Sequence, residues 1–170
     1  MKRVAKFYKV SKERFAQDLN EAVPGFTDAE IDEIYEQLKL PSRATKGSAG
    51  YDFHAPITFN ISPGKELLIP TGIRVEMEAD WVLMLYPRSG LGFKYRLQLN
   101  NTVGVIDSDY FYADNEGHIM ARITNDSKVG MELRVDRGMG FIQGVFLEYG
   151  LTRDDDTETV RTGGFGSTNG

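Results

Sequence analysis

From Pro41 onward the chain runs in short stretches of strand-like residues, cut repeatedly by glycine, proline and asparagine turns. That rhythm restricts it to an antiparallel β architecture. Ile73, Val75 and Met77 alternate with polar residues, as a strand with one wet face requires, and Ile119, Ala121 and Ile123 repeat the pattern. Trp81 to Tyr86 is continuously apolar and suits an interior strand, and Phe141 to Tyr149 is a further strand-rich run. Thr58 to Ile61 and Leu67 to Ile69 flank Ser62-Pro-Gly-Lys65, which reads as a hairpin-like turn. Together these features predict an all-β fold, an antiparallel jelly-roll-like β-barrel rather than an α/β sheet.

The segment before Pro41 follows another period. Met1 to Val10 is short and strand-like, but Thr27-Asp-Ala-Glu30 is a capping-box pattern, after which Ile31, Ile34, Tyr35 and Leu38 recur at helical spacing. Leu40-Pro41 is expected to end that helix. A second helix is expected from Ser11 to Asn20, with Phe15 and Leu19 on one face and Pro24-Gly25 separating the pair. The expected organisation is one domain over 1–170, with a helical hairpin inserted at about 11–39. The stretch Arg153 to Gly170 is acidic, then rich in Gly, Ser and Thr, and reads as a flexible arm.

Composition narrows the functional classes. The net charge of −5 argues against long nucleic-acid duplexes, which need a basic footprint. It still permits a small phosphorylated ligand held by a few arginines, backbone N–H groups and a divalent cation. No apolar run reaches the roughly 18 residues of a membrane span, and the N-terminus has charge without an apolar core, so no secretory leader is expected. The absence of cysteine excludes a disulfide framework and thiolate chemistry, and a reducing cytoplasm is the simplest compartment.

Four glycine-punctuated segments carry candidate chemistry. In Gly47-Ser-Ala-Gly-Tyr-Asp52, Asp52 reads first as a turn residue. In Pro87-Arg-Ser-Gly-Leu-Gly92, Arg88 offers a donor fork, Ser89 a hydroxyl, and Gly90 a backbone that a ligand can approach; a surface loop with a salt bridge is the plain alternative. In Asn101 to Tyr110, β-branched residues around Gly104, with Val105 and Ile106, suggest a tight hairpin whose backbone can meet the edge of a flat base. Asp107 could activate water, Tyr110 could pack on a sugar, and Asp109 could cap the turn. In Arg161 to Thr168, Phe165 sits among glycines where base–aromatic stacking contributes roughly 1–3 kcal/mol.

The combination resembles the trimeric dUTPase family, whose five motifs run in this order. Ala49-Gly-Tyr-Asp-Phe53, Pro87 to Gly92, Asn101 to Tyr110, Gly138-Met-Gly-Phe-Ile-Gln143 and Gly163 to Thr168 look like the first to the fifth. The resemblance covers about Leu40 to Gly170 together with the first strand. It implies a homotrimer that cleaves dUTP to dUMP and pyrophosphate with Mg²⁺, each site lying between subunits. Asp107 matches the carboxylate that activates water for attack on the α-phosphorus, and Arg88, Ser89, Gly90 and Gln143 match the phosphate cradle. Asn101 and the backbone of Val103 to Ile106 match the uracil reader, with Met120 nearby. Tyr110 matches the ring against deoxyribose. Phe165, with Arg161, Gly166, Ser167 and Thr168, matches an arm that closes over base and terminal phosphates. Magnesium is held chiefly by the triphosphate, with Asp52 either binding it through water or purely structural.

The chain departs from that pattern in places. Asp136-Arg137 stands too early for the fourth motif's acid–Arg pair, and Arg161 lies one residue closer to Phe165 than is common. The 11–39 hairpin and the insert Phe111-Tyr-Ala-Asp-Asn-Glu116 are extra, and either could form a surface for a regulatory protein partner. A dCTP deaminase of the same fold is the first rival, but it needs a glutamate on the strand His118 to Ile123, which has none. A nucleotide-sensing regulatory protein using the helical insert is the second. Truncation after Val160 is expected to depress dUTP hydrolysis while leaving the trimer intact; normal turnover by the truncated protein, in a pyrophosphate-release assay, removes the closing arm.

Overall fold

A computed structural model describes residues 2–159 and Gly163; the arm residues Arg161, Phe165, Gly166, Ser167 and Thr168 lie outside the described residues. The elements run β1 (Ala5–Lys9), α1 (Lys12–Ala22), α2 (Asp28–Glu36), β2 (Tyr51–His54), β3 (Phe59–Ile61), β4 (Glu66–Pro70), β5 (Ile73–Met77) and β6 (Trp81–Pro87). They continue with α3 (Ser89–Tyr95), β7 (Leu97–Leu99), β8 (Gly104–Ile106), a 3-10 turn (Ser108–Tyr112), β9 (Met120–Asn125), β10 (Leu133–Val135) and β11 (Gly140–Glu148). Every ladder is antiparallel: β1 with β5, β3 with β10, the order β2-β11-β6-β8, and the order β4-β9-β7. The expected jelly-roll class holds, built as separate small sheets around one core rather than as a closed barrel.

Two turns that read as hairpins instead change sheet. The Ser62–Lys65 turn forms, with Lys65 N donating to Ser62 O at 3.0 Å. The strands on its two sides diverge, however: β3 pairs with β10 and β4 with β9. Asn125, fully buried, staples this corner. Its Nδ2 donates to the carbonyls of Ile61 and Met131 at 2.8 Å each, and its own carbonyl accepts from Gly64 at 2.7 Å. Likewise β7 joins β9 while β8 joins β6, so the segment around Gly104 is a crossover turn followed by a strand, not a two-stranded hairpin. Alternation of apolar residues reports which face is buried, but not which neighbour supplies the ladder bonds.

The helical hairpin forms as expected and is part of the core. Ser11 caps α1 by accepting from Arg14 N at 3.1 Å, and Thr27 and Glu30 close a full capping box on α2. α2 ends at Glu36, four residues short of Leu40, because Leu38 N turns back to Tyr35 O at 3.2 Å and the Leu38 side chain is buried. Phe15, Leu19, Ile31 and Ile34 share one apolar cluster with Phe53, Ile73, Leu85 and Ile123 of the strands. The 111–116 insert docks too. Glu116 accepts from Ser11 N at 2.7 Å and from its hydroxyl at 2.5 Å, and the Arg74 guanidinium lies 3.7 Å over the Phe111 ring. Burial pushes the Glu116 carboxyl up, but the Ser11 bonds and nearby arginines outweigh it, and the group sits below the ordinary glutamate value.

With Phe15 fully buried between α1 and the strands, Phe15→Ala is expected to lower stability by about 3–5 kcal/mol in urea unfolding. A loss under about 1 kcal/mol contradicts a helical hairpin built into the core.

Candidate active site

The four-stranded sheet sorts its residues by register. Leu83, Leu85, Gly104, Ile106, Ile142 and Gly144 face inward, while Asp52, Met84, Tyr86, Val105, Gln143 and Val145 share the outer face. Asp52 lies opposite Gln143, and Gln143 opposite Tyr86. A bulge between Gly140 and Ile142 lets the consecutive Phe141 and Ile142 both be buried and re-aims the start of β11.

One cleft, of about 580 Å³, opens at the end of this outer face, with Asp52, Arg88, Ser89, Gly90, Gly140 and Gln143 among its walls. Pro87 closes β6, and Arg88 stands in extended backbone as the residue before α3, so Ser89 and Gly90 open that helix. The segment read as a loop is thus a short helix, its first turn set by Leu91 and Gly92 donating to the Arg88 carbonyl at 3.0 and 2.9 Å. Arg88 Nε contacts Asp52 Oδ1 at 3.2 Å, and its Nη1 reaches Gly140 O at 3.5 Å. Gly140 is required by that approach, since a Cβ there would fall 2.9 Å from Arg88 Nη1. Gln143 Nε2 donates to Pro87 O at 3.3 Å. Arg88 thus keeps most of its five N–H donors for an anion in the cleft. Asp52 is the group that orients it.

A second cleft, of about 920 Å³, contains Asn101, Gly104 and Met120 with Leu85 and Leu99. The turn that enters it is strained: Thr102, a β-branched residue, has φ +66°. Thr102 N donates to Leu99 O at 2.8 Å, and Val103 N to Asn101 O at 2.7 Å. β8 is the edge strand of its sheet, so one row of its backbone donors and acceptors faces away from β6. Tyr110 is buried, its hydroxyl donating to His118 O at 2.9 Å and accepting from Asn115 Nδ2 at 2.8 Å. Asp107 stands just after β8 in extended backbone, its carbonyl accepting from Tyr110 N at 3.2 Å.

Several cleft residues escaped the sequence reading. Glu66 accepts from Asn100 Nδ2 at 2.5 Å and Arg122 Nη1 at 3.0 Å, and those bonds, Asn100's first, hold its carboxyl below the ordinary value. Arg122 could have been found two residues beyond Met120 on the same strand face. Asp18, Glu21 and Asn115, contributed by the two inserts, carried no such signal.

The two clefts do not merge within one chain. Asp107 follows Ile106, which pairs with Leu83 near the start of β6, whereas Arg88 follows Pro87 at the other end. Five to six strand residues separate the two levels, roughly 15–20 Å. Among the described residues no group of three or more His, Asp or Glu side chains could cage a metal, and no helix is long and apolar enough to cross a membrane.

The dUTPase family profile matches residues 36–169. The deoxyuridine 5'-triphosphate nucleotidohydrolase of Lactococcus lactis is 42% identical over 134 residues, covering 77% of this chain and 88% of that protein. That of Shewanella loihica is 39% identical over 139 residues, covering 78% and 88%. Among solved structures, a dUTPase from Streptococcus mutans superposes with a TM-score of 0.63 at 34% identity, covering 86% of this chain and 97% of that one. A Staphylococcus bacteriophage 80alpha dUTPase with dUPNHPP shares the fold, with a TM-score of 0.64 at 19% identity over 95% and 92% of the two chains.

Because the added Cβ meets only the far end of the Arg88 side chain, Gly140→Ala is expected to leave the unfolding midpoint nearly unchanged. It should weaken binding of inorganic triphosphate by roughly tenfold, about the 1.4 kcal/mol of one displaced charged contact. Calorimetric titration giving unchanged affinity contradicts the cradle.

Proposed function

The chain belongs to the dUTPase family, and we propose that it hydrolyses dUTP to dUMP and pyrophosphate by attack of an Asp107-activated water on the α-phosphorus, in a site assembled between the subunits of a homotrimer. The observation that carries this reading is the division of the site: base-side and phosphate-side clefts, each built from matched residues, stand apart on one chain. One nucleotide can meet Asp107 and Arg88 together only if a second copy supplies one of them. Val105 and Met139 are about half exposed and Phe93 is almost fully so, apolar surface suited to burial against another copy.

The chemistry follows from the residue types. Uracil presents acceptor, donor and acceptor along O2, N3–H and O4, and the edge of β8 at Gly104 to Ile106 offers backbone groups of alternating kind beside Asn101. Cytosine reverses two of those positions, so the same edge would leave buried groups unpaired; discrimination of that kind reaches roughly 10⁴–10⁵. Tyr110 packs against the deoxyribose, where a 2'-hydroxyl meets its ring. Arg88, the Ser89 hydroxyl and the Ser89 and Gly90 backbone hold phosphate oxygens, with Gln143 beside them. Asp107 accepts the proton of the attacking water, and the pyrophosphate leaves from the α-phosphorus. Arg161, Phe165, Gly166, Ser167 and Thr168 are proposed to close over base and terminal phosphates.

Mg²⁺ fits this donor set as an ion carried by the triphosphate, since Asp52 is the carboxylate at the phosphate cleft and is turned to Arg88. Asp52 would reach it through water. Bound there, the ion neutralises phosphate charge and favours departure of pyrophosphate. No signal for a membrane or nucleic-acid partner accompanies these features, and a cysteine-free chain suits the cytoplasm.

A panel of dUTP, dCTP, dTTP and UTP is expected to show pyrophosphate release from dUTP far faster than from the other three. Ammonia release from dCTP instead identifies a deaminase, and dUTP binding without turnover identifies a sensor. Asp107→Asn is expected to keep dUTP affinity and lose about 10²–10⁴-fold in kcat; a fully active variant overturns the base assignment.

A further inference from the structure

The reaction as described gives the helical hairpin no part, yet α1 borders the base-side cleft. Asp18, Glu21 and Ala22 stand on the same wall system as Asn101, Gly104 and Met120. Asp18 is only 8% exposed. It accepts from Arg14, through Nε at 3.0 Å and through Nη2, and meets His118 Nδ1 at 2.5 Å. Burial pushes its carboxyl up, but the bonds from His118 and Arg14 outweigh that and hold it below the ordinary aspartate value.

His118 is fully buried, and its Nε2 accepts from Gly72 N at 2.8 Å. That bond uses the Nε2 lone pair, so the ring proton sits on Nδ1 and is donated to Asp18. The ring is therefore clamped from two sides, by the insert and by the turn between β4 and β5. The backbone of the same residue holds the sugar-side aromatic. The Tyr110 hydroxyl donates to His118 O at 2.9 Å, and Asn115 of the second insert donates to that hydroxyl. Gly117, with φ +69°, wraps so tightly that a Cβ would fall 2.6 Å from Tyr110 O. Movement of His118 is thus transmitted to Tyr110.

We propose that Asp18 is a positioning residue for sugar selection: through the His118 ring and carbonyl it fixes Tyr110 against the deoxyribose, so that the helical insert sets how strongly a 2'-hydroxyl is rejected. The inference rests on the assignment of Tyr110 to the sugar. Loosening the clamp gives the ring room to retreat from a ribonucleotide, so discrimination falls before deoxynucleotide turnover does.

The test uses the full-length enzyme and the ratio of kcat/KM for dUTP to that for UTP. Asp18→Asn keeps the side-chain shape and removes the charge that Arg14 and His118 share; it is expected to lower the ratio roughly tenfold, mainly through better use of UTP. Tyr110→Phe, which keeps the ring and removes the hydroxyl that donates to His118 O and accepts from Asn115 Nδ2, is expected to do the same, and the double variant to be no worse than either, since both break one connection. Thr27→Ala loosens α2 without touching Asp18 and is expected to leave the ratio unchanged. The proposal is overturned if folded Asp18→Asn discriminates like the wild type, if the two effects add, or if Thr27→Ala shifts the ratio equally. Should Asp18→Asn not fold, an unchanged ratio in Tyr110→Phe overturns it alone. A wild type that fails to hydrolyse dUTP defeats the assigned function; active wild type with an unmoved ratio in the variants defeats only this inference.

Discussion

The register of β6 against its two neighbours determines where everything else in this protein sits. β6 is bonded along both edges, to β11 from Trp81 to Pro87 and to β8 from Leu83 to Leu85. Because the side-chain period of a strand is two, a slip of one residue would turn Leu83 and Leu85 outward and carry Gln143 and Asp52 into the core. The inward set, with Phe53 and Ile142, is fully buried or nearly so, and that burial pins the register. Two consequences follow together. Arg88 leaves the end of β6 at a fixed place relative to Asp52 and Gly140, and Gly104 to Ile106 is set at the sheet edge where its outer backbone row is available to a ligand.

The same register keeps Asp107 and the Arg88 segment apart. Strands are stiff, so a chain that places Asp107 at one end of β6 and Arg88 past the other cannot bring both to one phosphate. The proposed association of copies would solve the geometry without bending a strand. It also gives a use to the half-exposed apolar residues of the outer face, which a lone chain would leave in water. In the proposed site catalysis is coupled to assembly, since a dissociated chain would hold the two clefts apart.

Buried and half-buried polar groups carry the specific contacts between segments distant in sequence. Asn125 fixes the corner between two sheets with three hydrogen bonds. His118 joins the helical insert, the β4–β5 turn and Tyr110, and Glu116 caps the first helix from the second insert. An unsatisfied polar atom in such a place costs about 1–3 kcal/mol, so each of these residues tolerates only the arrangement that pairs it. The two inserts are therefore joined to each other and to the wall of the cleft that holds Asn101 and Met120 rather than appended to the outside.

Much was legible in the residues themselves. Period-two alternation located β5 and β9, apolar and strand-rich runs located β6 and β11, the Thr27–Glu30 box marked the start of α2 at its observed place, and glycine-rich segments line both clefts. These signals are local, arising from steric and hydrogen-bonding preferences a few residues long, and a sequence states them directly. Pairing was not legible: the turn at Ser62–Lys65 and the crossover before Gly104 look like hairpins, yet each sends its two strands to different sheets. Nor could Asp18, a hundred residues from His118, announce itself. The sequence by itself determined the element types, the buried faces and the chemistry of the candidate groups. Which strands pair, which insert meets which loop, and the separation of the two clefts were decided only by tertiary structure, because contacts between remote segments depend on the global packing that buries all of them at once.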